Sequence, residues 1–325
     1  MKFVIAGAGA IGAYIGALMT RAGQDVTLFA RGPHLRAMQQ RGVKVLSEED
    51  SFEVKPKTAG SLDEIGACDV VILGVKAHSL TALVPQISPL LGPDTVVLST
   101  QNGIPWWFFQ NFGGEYSGLC LESVDPGGAI SAAIEPRRVV GAIVYFSTEI
   151  EEPGVIRHIE GNRISIGEPG GTRSDRARAI AEALIAAGLR CPLTTRIRHE
   201  IWVKILGNAS FNPISALTGA TLGSMARDPD VAGVIRGMMG EAEAAGRKLG
   251  LELPVSIEQR IAGAEKVGEH KTSMLQDLEA GRPLEIEAIV GALLEIGDKV
   301  GIAMPHTRAV YACTKLMAQI RKEAP

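Results

Sequence analysis

The chain has 325 residues, of which 46% are hydrophobic and 5% aromatic, and its formal net charge is -3. This balance excludes the basic footprint of a nucleic-acid-binding protein, and no apolar run approaches the roughly 20 residues of a membrane span. The length predicts about two domains, and the lack of a basic and apolar leader predicts a cytoplasmic protein that acts on a small molecule.

The first 31 residues predict a βαβ unit around a glycine-rich turn. A strand at Lys2–Ala6 precedes the turn, a helix from Ala10 to Ala22 follows it, and a second strand covers Asp25–Ala30. In such a turn the first glycine makes the bend, the second admits a pyrophosphate and the third lets the helix pack on the strand. This context predicts a dinucleotide site rather than a plain tight turn. The predicted cofactor-binding residues are Gly7, Ala8, Gly9, Ala10, Ile11 and Gly12.

The residue at the end of the second strand indicates which dinucleotide binds. An NAD site has an Asp or Glu there for the ribose hydroxyls, whereas an arginine accommodates the 2′-phosphate of NADP. This chain has Arg31, and its next acidic residue is Glu48. Arg31 therefore favours NADPH as the cofactor, with a solvated surface arginine as the alternative.

Strands and helices continue to alternate after Arg31, which predicts a doubly wound parallel sheet. Polar residues follow two of the strands, at the edge where such sheets bind ligands. Lys76 could neutralise cofactor phosphate or ribose oxygens, and Asn102 could bind the nicotinamide ribose or the substrate. The alternatives are a solvated lysine and a simple Asn-Gly turn. The predicted elements are Pro33–Arg41, His78–Leu91 (helices), Val43–Leu46, Phe52–Lys55, Cys68–Lys76 and Thr95–Thr100 (strands).

The next segment, Ile104 to Pro136, is irregular and aromatic, and it could be a lid, an oligomer contact or a buried loop. Regular strands resume after it, and their pattern around Asn162 predicts an antiparallel hairpin added to the sheet. The four cysteines are widely scattered and the six histidines isolated, so no metal site is predicted. The predicted elements here are strands at Val139–Phe146, Gly154–Ile159 and Arg163–Ile166, a helix at Ser174–Ala187 and a strand near Leu189–Leu193.

From about Thr195 the pattern is helical throughout. We therefore predict two domains, residues 1–194 for NADP binding and residues 195–325 for the substrate and catalysis, with a cleft between them as the substrate site. The predicted helices are His199–Ser215, Val231–Leu249, Val255–Leu278, Leu284–Val300 and Thr307–Lys322.

One helix of the second domain carries Lys204, Asn208 and Asn212 at four-residue spacing, on one face of an otherwise apolar sequence. Polar groups in a buried helix need partners, which indicates a polar site, and Pro213 predicts a kink near Asn212. A desolvated lysine holds its proton less tightly and is suited to donate it. The alternative is a salt-bridged lysine with capping asparagines.

A second group of polar residues lies further along the helical domain. The hydroxyl of Ser273 could bind a carboxylate, and either Glu285 or Glu287 could pair with Lys204. Spacing alone leaves the choice between the two glutamates open. Solvated acidic residues at a helix start are the alternative, because the helix dipole favours them there.

Together these residues resemble the ketopantoate reductases, also called 2-dehydropantoate 2-reductases. The resemblance covers almost the whole chain. It rests on Gly7-x-Gly9-x-x-Gly12, Arg31, Lys76, Gln101-Asn102-Gly103, Glu200-x-Trp202-x-Lys204-x-x-x-Asn208-x-x-x-Asn212-Pro213, Ser273-Met274-Leu275-Gln276-Asp277 and Glu285-Ile286-Glu287.

The resemblance implies an N-terminal Rossmann-like doubly wound sheet and an all-α C-terminal domain like that of 6-phosphogluconate dehydrogenase. It implies an NADPH-dependent oxidoreductase that reduces 2-dehydropantoate to (R)-pantoate, towards pantothenate and coenzyme A. Lys204 would be the general acid and Glu285 its acidic partner. Asn102, Asn208 and Asn212 would hold the reacting groups, and Ser273 would take the substrate carboxylate. A homodimer is a further expectation.

The chain departs from the family pattern at three places. Leu222 stands where the family has an asparagine, Ile104 to Phe112 is an aromatic insertion, and the region near Cys120 is unlike that of the smaller family members. A second hypothesis is therefore a related reductase of another branched or aromatic 2-oxo acid. A third is a non-catalytic NADP(H)-binding sensor, because a fold does not by itself prove catalysis.

Overall fold

A computed structural model describes residues 1–323 and confirms the predicted fold class, an α/β sheet domain followed by helices. The chain divides into two compact units. Unit 1 comprises Met1–Gln101, Pro105–Cys120 and Asp125–Ile197. Unit 2 comprises Asn102–Ile104, Leu121–Val124 and the chain from Arg198 onward. Two short segments of the first half of the sequence thus belong to the helical unit.

Unit 1 is built on one sheet, which has nine strands over residues 1–323, in the order β4-β3-β9-β8-β7-β6-β1-β2-β5. Neighbouring strands are parallel except for the pairs β3–β4 and β8–β9. The central strands are apolar and almost wholly buried, as expected when helices cover both faces of a parallel sheet. The strands are β1 Lys2–Ala6, β2 Asp25–Phe29, β3 Val43–Leu46, β4 Phe52–Val54, β5 Lys57–Ala59, β6 Cys68–Leu73, β7 Leu91–Ser99, β8 Val139–Glu152 and β9 Val155–Gly167.

Helices connect these strands, but the predicted continuous helix over His78–Leu91 is wrong. A 3-10 turn, the single turn α3 and two further 3-10 turns take its place. Pro85 and Pro89 lack the N–H groups that a continuous helix needs, which explains the breaks. The helices of unit 1 are α1 Ala10–Arg21, α2 Gly32–Arg41, α3 Leu80–Leu83, α4 Ala129–Ala133 and α5 Asp175–Ala186.

The predicted antiparallel hairpin is present, but its turn is not at Asn162. Strands β8 and β9 pair over almost their whole length and turn at Pro153-Gly154. Gly161, next to Asn162, lies inside β9 with φ +74°, and a Cβ there would meet the Tyr145 carbonyl. The local irregularity is therefore a bulge within a strand, of the kind that disturbs pairing without ending it.

The aromatic segment is a buried loop of unit 1. Trp106, Trp107, Phe108 and Phe109 are each at most 4% exposed. The rings of Phe108 and Phe109 meet edge to face at 5.1 Å. The Trp107 ring covers Gly141 of β8, where a Cβ would meet the indole at about 2.5 Å. Of the three alternatives that the sequence left open, the structure supports a loop that completes the core.

Unit 2 is helical, and its core forms around side chains of α6 and α8 such as Phe211, Ile235 and Met239. The single helix predicted for Val255–Leu278 is wrong: Gly268, at φ +74°, ends α9, and Thr272 caps α10. Helix α6 continues through Pro213 to Thr218. The helices are α6 Ile197–Thr218, α7 Leu222–Arg227, α8 Pro229–Lys248, α9 Ile257–Val267, α10 Ser273–Glu279, α11 Ala292–Val300 and α12 Pro305–Glu323, with a π-helical turn at Glu287–Gly291.

Within residues 1–323, each helix is either too short or too polar to span a membrane.

The contact between Gly141 and Trp107 predicts a stability effect. We expect Gly141→Ala to lower the free energy of unfolding by about 1–3 kcal/mol, because the added methyl overpacks the core. Gly92→Ala in β7 is the control, since its Cβ would make only ordinary contacts of 3.5 Å. Denaturant unfolding of both variants tests this, and equal stability of the two would contradict it.

Candidate functional site

The glycine-rich turn between β1 and α1 is shaped by close packing. Gly7 has φ +105°, and a Cβ there would collide with Val75. At Gly12 a Cβ would collide with the Gly7 carbonyl oxygen and with Ile5. At Gly9 it would meet only the Gly74 carbonyl oxygen, at 3.8 Å. Gly7 and Gly12 are thus required by the packing of the turn, whereas Gly9 faces space that a ligand could fill.

A pocket of about 500 Å³ opens beside this turn, within unit 1. Gly9 is the N-cap of α1 and has no side chain to cap it, which leaves the first N–H groups of the helix for an anionic ligand. The geometry fits the pyrophosphate of a dinucleotide. The residues lining the pocket are Gly7, Ala8, Gly9, Phe29, Ala30, Arg31, His34, Val75, His78, Ser79, Ala82, Leu83 and Ile150.

Arg31 lines this pocket as the N-cap residue of α2. Its guanidinium donates a hydrogen bond to Gln86 Oε1 at 2.8 Å and lies 5.3 Å from the centre of the Phe29 ring. The side chain is exposed, so its remaining donors can reach a ligand. A planar, permanently charged group at this place suits a phosphate on the adenosine ribose.

The other predicted cofactor residues are not part of the pocket's lining. Ala10, Ile11 and Gly12 form the first turn of α1. Lys76 follows β6 and precedes the 3-10 turn Ala77–Ser79, and its side chain is partly buried. Asn102 belongs to unit 2.

Sequence reasoning missed nine residues of the lining: Phe29, Ala30, His34, Val75, His78, Ser79, Ala82, Leu83 and Ile150. His34 could have been predicted from its position alone, because it lies three residues after Arg31, in the first turn of the same helix. Ile150 could not be predicted, because it comes from the hairpin, far away in sequence.

In unit 2, Lys204 lies on α6 two residues after a tightly packed tryptophan. Trp202 is fully buried, and its Nε1 donates a hydrogen bond to the Ala242 carbonyl at 3.1 Å. Gly246 of α8 faces this indole, and any side chain there would collide with it. The helices α6 and α8 are therefore held in close register at the turn that carries Lys204.

The environment of Lys204 changes its acidity. Burial lowers the pKa of its ammonium to about 8, because the charged form loses its hydration, and the carboxylate of Glu285 opposes this effect. Glu287 has other partners: its carboxylate accepts hydrogen bonds from Tyr311 and pairs with Lys315 at 2.9 Å. Of the two glutamates between which spacing could not choose, Glu285 is the one that acts on Lys204.

Asn208, one turn after Lys204, donates a hydrogen bond from Nδ2 to Asn102 Oδ1 at 2.9 Å. Asn212 follows on the same face of α6 and is 5% exposed. Ser273 is the first residue of α10, and its side chain is exposed. Lys204, Glu285, Asn208 and Asn102 thus form a polar group in unit 2 that can bind an oxygen atom and give it a proton.

Residues 1–323 contain no cluster of three or more His, Cys, Asp or Glu side chains that could hold a metal ion.

Known proteins resemble the chain along its whole length. The family model described as "Ketopantoate reductase PanE/ApbA" matches residues 3–106, and its C-terminal counterpart matches residues 196–318. A 2-dehydropantoate 2-reductase of Mesorhizobium japonicum is 49% identical over 98% of this chain and 98% of its own length.

Solved structures agree with this similarity. The crystal structure of a 2-dehydropantoate 2-reductase from Geobacter metallireducens superposes with a TM-score of 0.85 at 28% identity, covering 98% of this chain and 100% of its own. A D-mandelate dehydrogenase with NADH and anilino(oxo)acetate has the same fold, with a TM-score of 0.84 at 22% identity and 99% of each chain covered.

The pairing of charges in unit 2 predicts a change in acidity. We expect Glu285→Gln to lower the pKa of Lys204 further below 8, because the ammonium loses the carboxylate that stabilises its charged form. NMR titration of the lysine side-chain signals measures this. Glu279→Gln is the control, since Glu279 pairs with Lys271 on the surface. An unchanged or raised pKa in Glu285→Gln would contradict the assignment.

Proposed function

The chain belongs to the ketopantoate reductase family, and from that premise we propose that it reduces 2-dehydropantoate to (R)-pantoate with NADPH, on the route to pantothenate and coenzyme A. The observation that carries the proposal is Lys204, an ammonium with a lowered pKa beside Glu285. We place the reaction in the cytoplasm.

We assign cofactor binding to residues 1–194, Asn102 among them, and the acid–base chemistry to residues 195–325. NADPH, when bound, supplies the hydride that reduces the keto carbon. The turn from Gly7 to Gly12 and the first N–H groups of α1 would bind its pyrophosphate, as the open space at Gly9 supports. Arg31 would bind the 2′-phosphate, and Lys76 the neighbouring phosphate or ribose oxygens.

Lys204 would act on the substrate carbonyl oxygen. As the ketone is reduced, negative charge develops on this oxygen, and an ammonium within hydrogen-bond reach stabilises that charge and donates the proton. A pKa of about 8 suits this role, because at neutral pH the group is mostly protonated and yet releases its proton readily. Glu285 keeps the ammonium protonated until it is needed.

The neutral polar residues would fix the substrate. The bond from Asn208 to Asn102 orients both amides, which leaves the Asn102 Nδ2 and the Asn208 Oδ1 able to bind the ligand. Asn212 would support the same face of α6. The exposed hydroxyl of Ser273, at the start of α10, would bind the substrate carboxylate.

A second candidate is a reductase of another branched or aromatic 2-oxo acid. The N–H of Leu222 donates to the His270 carbonyl at 3.0 Å, which places this apolar residue beside the loop that leads to Ser273. A larger or more apolar side chain on the substrate would suit such a neighbour. NADPH oxidation measured against a panel of branched and aromatic 2-oxo acids, with NADH as control, separates this candidate from ketopantoate reduction and from a non-catalytic sensor.

A homodimer stays a prediction. The exposed apolar side chains of Leu316 and Ile320, one turn apart on α12, would suit a contact with a second copy.

The role of Lys204 predicts a large loss of turnover. We expect Lys204→Ala to lower kcat at least about 100-fold, roughly 2.7 kcal/mol of barrier, while the Kd for NADPH changes little. Lys248→Ala, at an exposed lysine of α8, is the control. Steady-state assays and fluorescence titration with NADPH measure the two effects. Turnover within about tenfold of the parent would make the assignment wrong.

The role of Arg31 predicts a loss of cofactor discrimination. We expect Arg31→Ala to raise the KM for NADPH about tenfold or more, because a charge-assisted bond to phosphate is lost, and to leave the KM for NADH almost unchanged. Arg36→Ala, an exposed arginine on the same helix, is the control. Equal effects on the two cofactors would show that Arg31 does not bind the 2′-phosphate.

A further inference from the structure

The proposed reaction leaves one group of charged side chains in unit 2 without a role. Glu287, Tyr311 and Lys315, here called the outer network, are bonded in a ring. Lys315 Nζ lies 2.9 Å from both Glu287 Oε1 and the Tyr311 hydroxyl, and that hydroxyl donates to the Glu287 carboxylate at 2.8 Å. The network joins α12 to the turn that precedes α11.

That turn is π-helical, a rare geometry that frequently occurs at functional sites. It runs from Glu287 to Gly291, and the N–H of Ala292 donates to the Glu287 carbonyl, five residues back. In an α-helix this N–H of Ala292 would bond to the Ala288 carbonyl, four residues back, so the π-helical turn takes that bond away from the Ala288 carbonyl. The Ala288 carbonyl instead accepts the N–H of Ile104, at 2.8 Å.

The bond to Ile104 fixes the segment that carries Asn102. Gly103, between them, has φ +94°, and a Cβ there would collide with the Ala288 carbonyl oxygen. The segment therefore lies directly against the π-helical turn. Since Asn102 is bonded to Asn208 and Glu285 lies two residues before the turn, the geometry of the turn determines the place of both site residues.

The outer network is positioned to hold this turn. The Glu287 carboxylate folds back over Gly291, the last residue of the turn, where a Cβ would meet Oε2 at 2.5 Å. Tyr311 and Lys315 then tie that carboxylate to α12. The side chain of the first residue of the turn thus packs against the last residue, and two residues of another helix keep that side chain in place.

We propose that the outer network consists of positioning residues: by holding the π-helical turn, it sets Asn102 and Glu285 around Lys204. This rests on the proposed function for its effect on turnover. The network acts through the backbone of the turn and through the bond between Ala288 and Ile104. Tyr311 and Lys315 therefore affect the reaction through the turn rather than by contact with the substrate.

The test uses Tyr311→Phe and Lys315→Met, which remove the hydroxyl and the charge with little change in size. In each we expect kcat to fall about threefold to tenfold with the KM for NADPH within about twofold, because the site residues are misplaced. Amide hydrogen exchange of Ile104 should rise at least about threefold, because the bond to Ala288 opens more often. Lys315→Arg should restore both values.

Two further variants make the result decisive. Gly291→Ala displaces the Glu287 carboxylate by another route and should reproduce both effects. Arg308→Met, on α12 like Tyr311 and Lys315, breaks the exposed pair with Asp298 of α11 and should change neither. Unchanged exchange at Ile104 in Tyr311→Phe and Lys315→Met overturns the proposal, whatever happens to turnover. Raised exchange in a protein whose parent turns over no 2-oxo acid would support the coupling and overturn the proposed function instead.

Discussion

A lysine side chain within an apolar helix constrains the whole of unit 2. The ammonium of Lys204 loses hydration, and its pKa falls to about 8. One nearby carboxylate partly stabilises the charged form of the Lys204 ammonium. A second carboxylate would raise the pKa of this ammonium and make it a poorer acid. The unit therefore has to bring one glutamate to Lys204 and keep the other away. The pairing of Glu287 with Lys315 engages that other glutamate elsewhere.

The two halves of the proposed site are built by different means. The cofactor pocket depends on the absence of side chains, because Gly7 and Gly12 allow strand and helix to approach while Gly9 leaves space. The acid–base group depends on side chains that compensate one another in a protein interior. Substitutions in the first should fail by steric conflict, and substitutions in the second by a change of charge or hydrogen bonding.

Local determinants made much of this predictable. The βαβ unit was predicted correctly, because its strand, turn and helix are adjacent and each glycine has a steric role. The face shared by Lys204, Asn208 and Asn212 follows from helical spacing alone. Spacing alone could not separate Glu285 from Glu287, since the choice depends on Tyr311 and Lys315, more than twenty residues further on; only the family resemblance implied Glu285. For the same reason, nothing in the sequence indicated that Ile104 would bond to Ala288.

The buried tryptophans can also serve as intrinsic fluorescence probes of the folded state. Trp106 and Trp107 lie in unit 1 and Trp202 in unit 2, all less than 5% exposed, and the chain has three tryptophans in total. Their emission in the native state should be shifted to short wavelength and should move to longer wavelength on exposure to water. Replacing Trp106 and Trp107 by phenylalanine would leave one indole, two residues from Lys204, whose fluorescence reports on the helical unit alone.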